Sequence, residues 1–402
     1  MRILVLALGV PFPPLGGGLT RTFHLLKALA ARHEVTLAAF TYGEPHEPPP
    51  YRLDVRPVPW QWSADYERMI GADAGAAHRA YMRLTHEVDE PWFASVMDPG
   101  PMDATLGDLL KMQPELVLAE GMPMARFLPR VPSGVARVID LFDVHSVIAR
   151  DAVRSAGGGN FAALAREAER TLAFERRAAS ECDACLAVSE PDVEVARHLL
   201  GATAVHLVPN GVETSHFVPS STAPDPGSLL FTGRMAYPPN ADAACYFAEQ
   251  VLPLVRRDVP HARFHIVGDA PPPAVQALAS DAVRVHGRVE DVREFHARAE
   301  VVVVPIRSGG GTRLKLLEAA ACGKAIVSTR LGAEGLPFRH GHHLEIADSP
   351  ADFAAAVVAL LRHPERRTEL GSRARAVAAQ FDWSGIGQSF TSIIESIVRD
   401  RG

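Results

Sequence analysis

The residues best suited to chemistry lie in Val301–Glu318, VVVVPIRSGGGTRLKLLE. An apolar strand runs into Ser308, Gly309, Gly310 and Gly311, and the pattern predicts a helix opening at Thr312 or Arg313. Glycines let a backbone turn tightly and bring its N–H groups close to a ligand. A helix start adds unsatisfied N–H donors and a partial positive charge, which together favour an anion. Arg313 and Lys315 in that first turn are locally unfavourable by roughly 0.3–1 kcal/mol, and an anion in the loop would offset this. Lys315 and Glu318 are three residues apart and share a helix face. Amides and Lys315 suit a pyrophosphate and Glu318 suits ribose hydroxyls, so the segment reads as a nucleoside diphosphate site. The competing reading is a flexible loop followed by solvated charges. The G-x-x-x-x-G-K-[ST] order of a P-loop is absent.

The surrounding elements are those of an α/β protein. Short apolar runs at Arg2–Leu8, Glu34–Phe40, Glu115–Ala119, Val135–Asp140, Ala184–Val188 and Val205–Val208 predict strands in the first half. Ser228–Thr232, Arg263–Val267, Val283–His286, Val301–Pro305 and Ala325–Ser328 predict strands in the second. Several are apolar throughout, the mark of parallel strands covered on both faces. Helical stretches such as Thr20–Arg32, Phe161–Glu181 and Ala241–Arg257 lie between them, and this alternation means doubly wound sheets. The Pro- and Ser-rich stretch Pro219–Gly227 divides the chain nearly in half. Two Rossmann-like domains facing across a cleft are the economical architecture: 1–219, a linker at 220–227, and 228–380. A C-terminal helix over 381–402 is expected to pack back toward the first domain. The Pro-rich stretch Gly43–Pro59 is expected to wrap an edge of the first sheet, and Ala156–Asn160 to form a loop.

Composition excludes several classes. The 402 residues are 47% hydrophobic, which argues against wholesale disorder. A net charge of −6 gives no electrostatic footprint for nucleic acid. Four cysteines cannot build a disulfide scaffold and point to a reducing, cytoplasmic setting. No apolar run approaches the roughly 20 residues that span a bilayer. Ile3–Leu8 is short for a signal peptide and is followed by Pro11, Pro13 and Pro14, so a buried first strand fits it better.

Four further stretches carry a family resemblance. FTGRMAYPPNADA (Phe231–Ala243), HIVGDAPP (His265–Pro272), HGRVEDV (His286–Val292) and GGGTRLKLLEAAACGKAIVST (Gly309–Thr329) resemble the donor-binding half of glycosyltransferase family 4, a retaining family of the GT-B fold. Within it the chain is most similar to bacterial exopolysaccharide-associated sugar transferases. PFPPLGGGLTRTFHLLKALAARHEVTL (Pro11–Leu37) resembles the family's first loop and helix, and VPNGVETSHFVP (Val208–Pro219) its interdomain hinge. The resemblance implies transfer of a sugar from a nucleotide diphosphate sugar to an acceptor hydroxyl, with no cofactor besides the donor; no metal triad is visible in the sequence, so metal-independent donor binding is expected. The acceptor would be a glycan, a lipid-linked sugar or a small molecule. Arg234, after Gly233, matches the arginine that grips the donor pyrophosphate, and Glu318 matches the second glutamate of E-x7-E, which holds the ribose. Arg288 and Val289 match the turn whose backbone reads the base. Gly16, Gly17 and Gly18 match the N-terminal glycine loop near the phosphates, and Gly268 and Gly309–Thr312 complete the implied donor set.

The sequence departs from the family at three points. Gly310 stands where the first glutamate of E-x7-E is expected. The usual lysine after the Gly-Arg pair is absent from Met235–Asn240, leaving Lys315 as its replacement. Phe142 stands where the alignment expects a catalytic histidine, which makes Asp140, Asp143 and His145 candidates at a strand end, where α/β sites are built. Two other classes of function share these features: a GT-B nucleotide-sugar epimerase or hydrolase, and a non-catalytic nucleotide-sugar sensor.

Other motifs read as structural. Cys182–Cys185 is a lone C-x-x-C without a second pair, and the 17 histidines are dispersed, so no metal site is expected. Trp60, Trp62, Tyr66, Arg68, Tyr81, Arg83, Trp92 and Phe93 enrich one region in aromatics and arginines. They would dock an acceptor, touch a membrane surface peripherally, or pack helices against the first sheet.

Overall fold

The computed structural model describes residues 1–14, 16–43, 46–64, 66–67, 90–155, 161–309 and 312–401. The loop expected at Ala156–Asn160, the glycines Gly310 and Gly311, and Arg68, Tyr81 and Arg83 lie outside them. The chain forms two compact units, Met1–Pro209 with Gly387–Gly402, and Asn210–Ile386. The stretch 220–227 therefore sits inside the second unit. Its backbone is anchored there: Asp225 N–H donates to Arg298 O at 2.8 Å, and Gly227 N–H to Glu300 Oε2 at 2.6 Å.

The first unit holds a seven-stranded sheet of β1 (Arg2–Ala7), β2 (Glu34–Thr41), β3 (Asp54–Pro59), β4 (Leu116–Glu120), β5 (Ala136–Leu141), β6 (Ala184–Ala187) and β7 (Val205–Leu207). Their order is β3-β2-β1-β4-β5-β6-β7, and every pair is parallel. Helices α1 (Gly17–Ala30), α2 (Gly100–Leu110), α3 (His145–Ser155) and α4 (Phe161–Glu181) cross between strands. The central strands are buried residue after residue, as their unbroken apolar runs require. The Pro-rich stretch does more than wrap the edge: its second half is strand β3. Only Val58 there is buried, and Pro57 and Pro59 are tolerated because β3 pairs, among the described residues, on one side alone.

The second unit holds β8 (Ser228–Thr232), β9 (Arg263–Val267), β10 (Val283–Gly287), β11 (Val301–Val304), β12 (Ala325–Ser328) and β13 (Glu345–Ile346), ordered β10-β9-β8-β11-β12-β13 and again parallel. Its helices include α5 (Pro238–Tyr246), α6 (Val292–Arg298), α7 (Leu314–Ala321), α8 (Pro350–Arg362) and α9 (Pro364–Ala378). A last helix, α10 (Trp383–Arg401), has Gly387 onward in the first unit, where Arg401 pairs with Asp183 at 2.7 Å. Two parallel-sheet α/β units in one chain are the GT-B architecture. No helix among the described residues is long and apolar enough to cross a membrane.

One core residue contradicts its surroundings. His296 in α6 is fully buried, and neither ring nitrogen has a hydrogen-bond partner among the described residues. Burial holds its pKa down at about 4, with the Lys324 charge adding to the effect. An unsatisfied buried polar group costs about 1–3 kcal/mol. His296→Leu is therefore expected to raise the melting temperature of the second unit by about 2–4 °C. Because the folded pKa is depressed, the wild type gains stability as pH rises from about 4 to 6.5. The variant should lack that acid-side loss, and calorimetry between pH 4 and 7 reads both effects.

Candidate functional site

In a doubly wound sheet, ligands bind beyond the carboxyl ends of the strands where the chain reverses its direction of travel. In the second unit that point lies between β8 and β11, since the chain runs β8, β9, β10 one way and resumes at β11 on the other side. Gly233 and Arg234 follow β8, and Gly309–Glu318 follow β11, so two stretches singled out in the sequence flank the switch point.

The strand ends are locked together. Gly233 N–H donates to Val267 O at 3.0 Å, Met235 N–H to Asp269 O at 2.8 Å and Gly268 N–H to Gly287 O at 2.8 Å. This lattice fixes Gly233, Arg234, Gly268, Arg288 and Val289 along one edge. Gly268 passes so close to Gly233 that an added Cβ would stand 1.7 Å from Gly233 O.

The helix after β11 begins later than its sequence suggests. Thr312 lies outside the helix, Arg313 is extended and caps α7 without a side-chain hydrogen bond to it, and α7 starts at Leu314. Arg313 is buried instead, with Nη2 donating to Gly309 O at 2.6 Å, so it braces the glycine loop and is not a solvated charge in the first turn. Lys315 is not solvated either. Its Nζ donates to Asn240 Oδ1 at 2.5 Å and stands 4.4 Å over the Phe231 ring. Asn240 Nδ2 in turn donates to Arg234 O at 2.8 Å. The amine thus rests on the segment Met235–Asn240, where the family lysine is missing. Burial brings Lys315 down to about 7, helped by Arg313 and opposed by Glu318. Burial also pushes Glu318, one turn on, up to about 7 against the pull of Lys315. Among the described residues the Glu318 carboxyl has neither a hydrogen bond nor an ion pair, and the exposed Arg234 guanidinium also has none. A buried cation, an exposed cation and a buried carboxyl, the last two unpaired among the described residues, therefore lie on the segments that follow β8 and β11.

The first unit has its own switch point, between β1 and β4. Gly16–Gly18 open α1 there. Asp140, a strand-end candidate from the sequence, is held in a buried ion pair. It is fully buried, and both carboxylate oxygens accept from Arg21, Oδ2 from Nε at 2.6 Å and Oδ1 from Nη2 at 2.8 Å. Asp143, on the loop after β5, and His145 are half-buried. His145 opens α3, packs 4.7 Å from the Phe93 ring, and is held neutral by burial, its pKa near 4. The buried Glu175 accepts from the N–H groups of His145 and Ser146 at 2.8 and 3.2 Å and so fixes the start of α3. Phe142 packs toward Gly18, with a Cβ there 3.6 Å from the ring. Sequence reasoning missed Asn240, Arg21, Thr22 and Glu120. The one available signal was Arg21 and Thr22 inside an otherwise apolar helix face. Among the described residues no group of three or more His, Cys, Asp or Glu is placed to hold a metal.

These units and sites define a glycosyltransferase fold of the GT-B class. Residues 226–363 match the family described as Glycosyl transferases group 1. The chain is 29% identical over 226 residues to a phosphatidyl-myo-inositol mannosyltransferase of Propionibacterium freudenreichii, covering 52% of this chain and 55% of that protein. It is 27% identical over 259 residues to D-inositol 3-phosphate glycosyltransferase 2 of Catenulispora acidiphila, covering 57% and 60%. The chain spans little more than half the length of these curated relatives. Sucrose-phosphate synthase from Thermosynechococcus elongatus shares the fold over 100% of both chains, with TM-score 0.74 and 17% identity. Anabaena HepE, solved in complex with UDP and glucose, shares it over 98% of this chain and 100% of its own, with TM-score 0.66 and 16% identity.

Proposed function

We propose that the protein transfers a sugar from a nucleotide diphosphate sugar to an acceptor hydroxyl, with retention at the anomeric carbon. The observation that carries this reading is the grouping of Arg234, Lys315 and Glu318 beyond the ends of β8 and β11. Arg234, Lys315 and the amides around Gly309 receive the pyrophosphate, and Glu318 receives the ribose hydroxyls. As the sugar–oxygen bond breaks, negative charge builds on the leaving diphosphate, and these cations stabilise it, Lys315 from a position already fixed by Asn240. The cations are the protein's own, so we assign metal-independent donor binding. A donor phosphate oxygen then accepts the acceptor's proton, so the flanking carboxylate pair of a glycosidase is not required. The relatives named for phosphatidyl-inositol and inositol phosphate transfer support an acceptor that bears hydroxyls on a glycan, lipid-linked or small-molecule body.

We place this activity in the cytoplasm, with peripheral membrane contact through the first unit. The aromatic chain Tyr42–Trp60–Trp62–Tyr66–Trp92 supports that contact, with successive ring centroids 4.5–5.3 Å apart. Tyr42 and Trp62 are 63% and 42% exposed.

The test is incubation with a panel of nucleotide diphosphate sugars and acceptors, following nucleoside diphosphate release and product stereochemistry. Free sugar or an isomerised donor without acceptor would replace this reading with a hydrolase or epimerase. Donor binding without turnover would replace it with a sensor. Glu318→Ala is expected to weaken nucleoside diphosphate binding about 5- to 100-fold, the loss of one or two hydrogen bonds at about 1–1.5 kcal/mol each. Its melting temperature should stay within about 2 °C of wild type, because the carboxyl holds no structural partner. Calorimetric titration and a melt on the same sample decide this, and a drop of many degrees would make Glu318 a structural residue.

A further inference from the structure

The end of β4 carries a buried acid that the proposed reaction does not use. Glu120 is 2% exposed, its Oε2 lies 3.0 Å from Thr22 Oγ1, and its Oε1 has no hydrogen-bond partner among the described residues. Its other neighbour is Asp140 of β5, whose oxygens are committed to Arg21 of α1. The Thr22 hydroxyl lies between two acceptors, Glu120 Oε2 and, 3.1 Å away, Gly18 O, the carbonyl four residues back on α1. A hydroxyl has a single proton to give. Both contacts are satisfied together only if one further proton is present, and Glu120 is the group that can carry it.

We propose that Glu120 is a positioning residue that works as the un-ionised acid: its proton is donated to Thr22 Oγ1, which turns the Thr22 hydroxyl onto Gly18 O and fixes the glycine loop that opens α1. The functional part rests on the transferase reading, in which the family resemblance assigns that loop to donor phosphates. The electrostatics agree with the geometry. Burial first and the Asp140 charge second push Glu120 up to about 8, the Asp140 carboxylate also adding a little as an acceptor for its proton, while Arg21 and Thr22 pull against them. Ionisation above that pH draws the Thr22 proton onto the carboxylate, leaves Gly18 O with its helical backbone donor alone, and loosens the first turn.

Two measurements that need no turnover test the chain of protons. Infrared difference spectra of wild type minus Glu120→Gln should show a carboxylic acid carbonyl band at pH 7 that disappears above about pH 8. Absence of that band at pH 7 overturns the proposal. Amide exchange at residues 16–22, corrected for intrinsic rates, should lose protection in the wild type between pH 7 and 9. It should hold in Glu120→Gln, whose amide N–H donates to Thr22 at every pH, and be low at every pH in Thr22→Val. Equal pH dependence in all three forms overturns the positioning role. In transfer assays the ratio of kcat/KM for Glu120→Gln over wild type should grow at least fivefold from pH 7 to 9, and a constant ratio overturns the link to donor handling. Failure of the transferase reading itself shows differently: no transfer by either form at any pH, with the spectral and exchange results standing.

Discussion

Lys315→Ala is expected to lower kcat by about ten- to a hundredfold, with a smaller effect on donor affinity. A hydrogen bond to a charged group contributes about 1.5–3 kcal/mol, and each decade in rate is about 1.4 kcal/mol. The leaving diphosphate gains charge as the bond breaks, so the loss falls more heavily on the transition state than on the bound donor. Lys315 is lodged between Asn240 and Phe231, which holds its amine in place before the donor arrives. Lys315→Arg should rescue only in part, because a planar fork cannot replace a point charge in that gap. The pH dependence has a definite sign. Since burial holds Lys315 near 7, the free protein loses its charge above that pH, and binding an anion must restore the proton. Donor affinity should therefore fall as pH rises from 7 to 9 in the wild type. It should change less in Lys315→Met, which keeps the stem over Phe231. Rate and affinity measured across that range decide it, and an unchanged kcat in Lys315→Ala would remove Lys315 from the reaction.

Gly268→Ala is expected to cost the second unit about 4 kcal/mol or more, an exceptionally large effect for one methyl group. The methyl carbon would stand 1.7 Å from Gly233 O, and that obstacle is backbone, so no side-chain rotation relieves it. Separating the two strands' ends would break the bonds from Gly268 to Gly287 and from Gly233 to Val267, which hold Arg234 and Arg288 on one edge. Nucleotide binding should be lost together with stability. Gly107→Ala in α2 is the matched control: a Cβ there meets nothing within 4 Å, and a small gain in stability is expected. Melting and binding of the two variants side by side settle the matter. A Gly268→Ala protein melting within about 2 °C of wild type would show that the two strand ends can part freely.

The sheets were legible because their strands are buried on both faces and written as unbroken apolar runs, so Ser228–Thr232, Arg263–Val267 and Ala325–Ser328 agree with the structure to the residue. Strand β3 was not, because one buried valine between prolines and charges carries no such signal. The shared helix of Lys315 and Glu318 was legible because the two sit three residues apart in sequence. Asn240 was not, since its role depends on Lys315 reaching back 75 residues. The pairing of Asp140 was hidden for the same reason. A carboxylate at a strand end looks available until its partner is known, and Arg21 stands 119 residues away. Linear spacing records neighbours along the chain, while the worth of a buried polar group is set by neighbours across it.

The prolines of β3 have a bearing on how the protein behaves in company. Trp60 N–H donates to Thr41 O, which turns the alternate positions, 57 and 59, toward the sheet's outer side. There each proline presents ring carbon where an ordinary residue would present a donor. A strand from a second molecule arriving at this border would find two successive carbonyls left unanswered. The terminal strand thus accepts β2 and discourages any further strand, which guards a long parallel sheet against stacking end to end with its copies in a crowded solution.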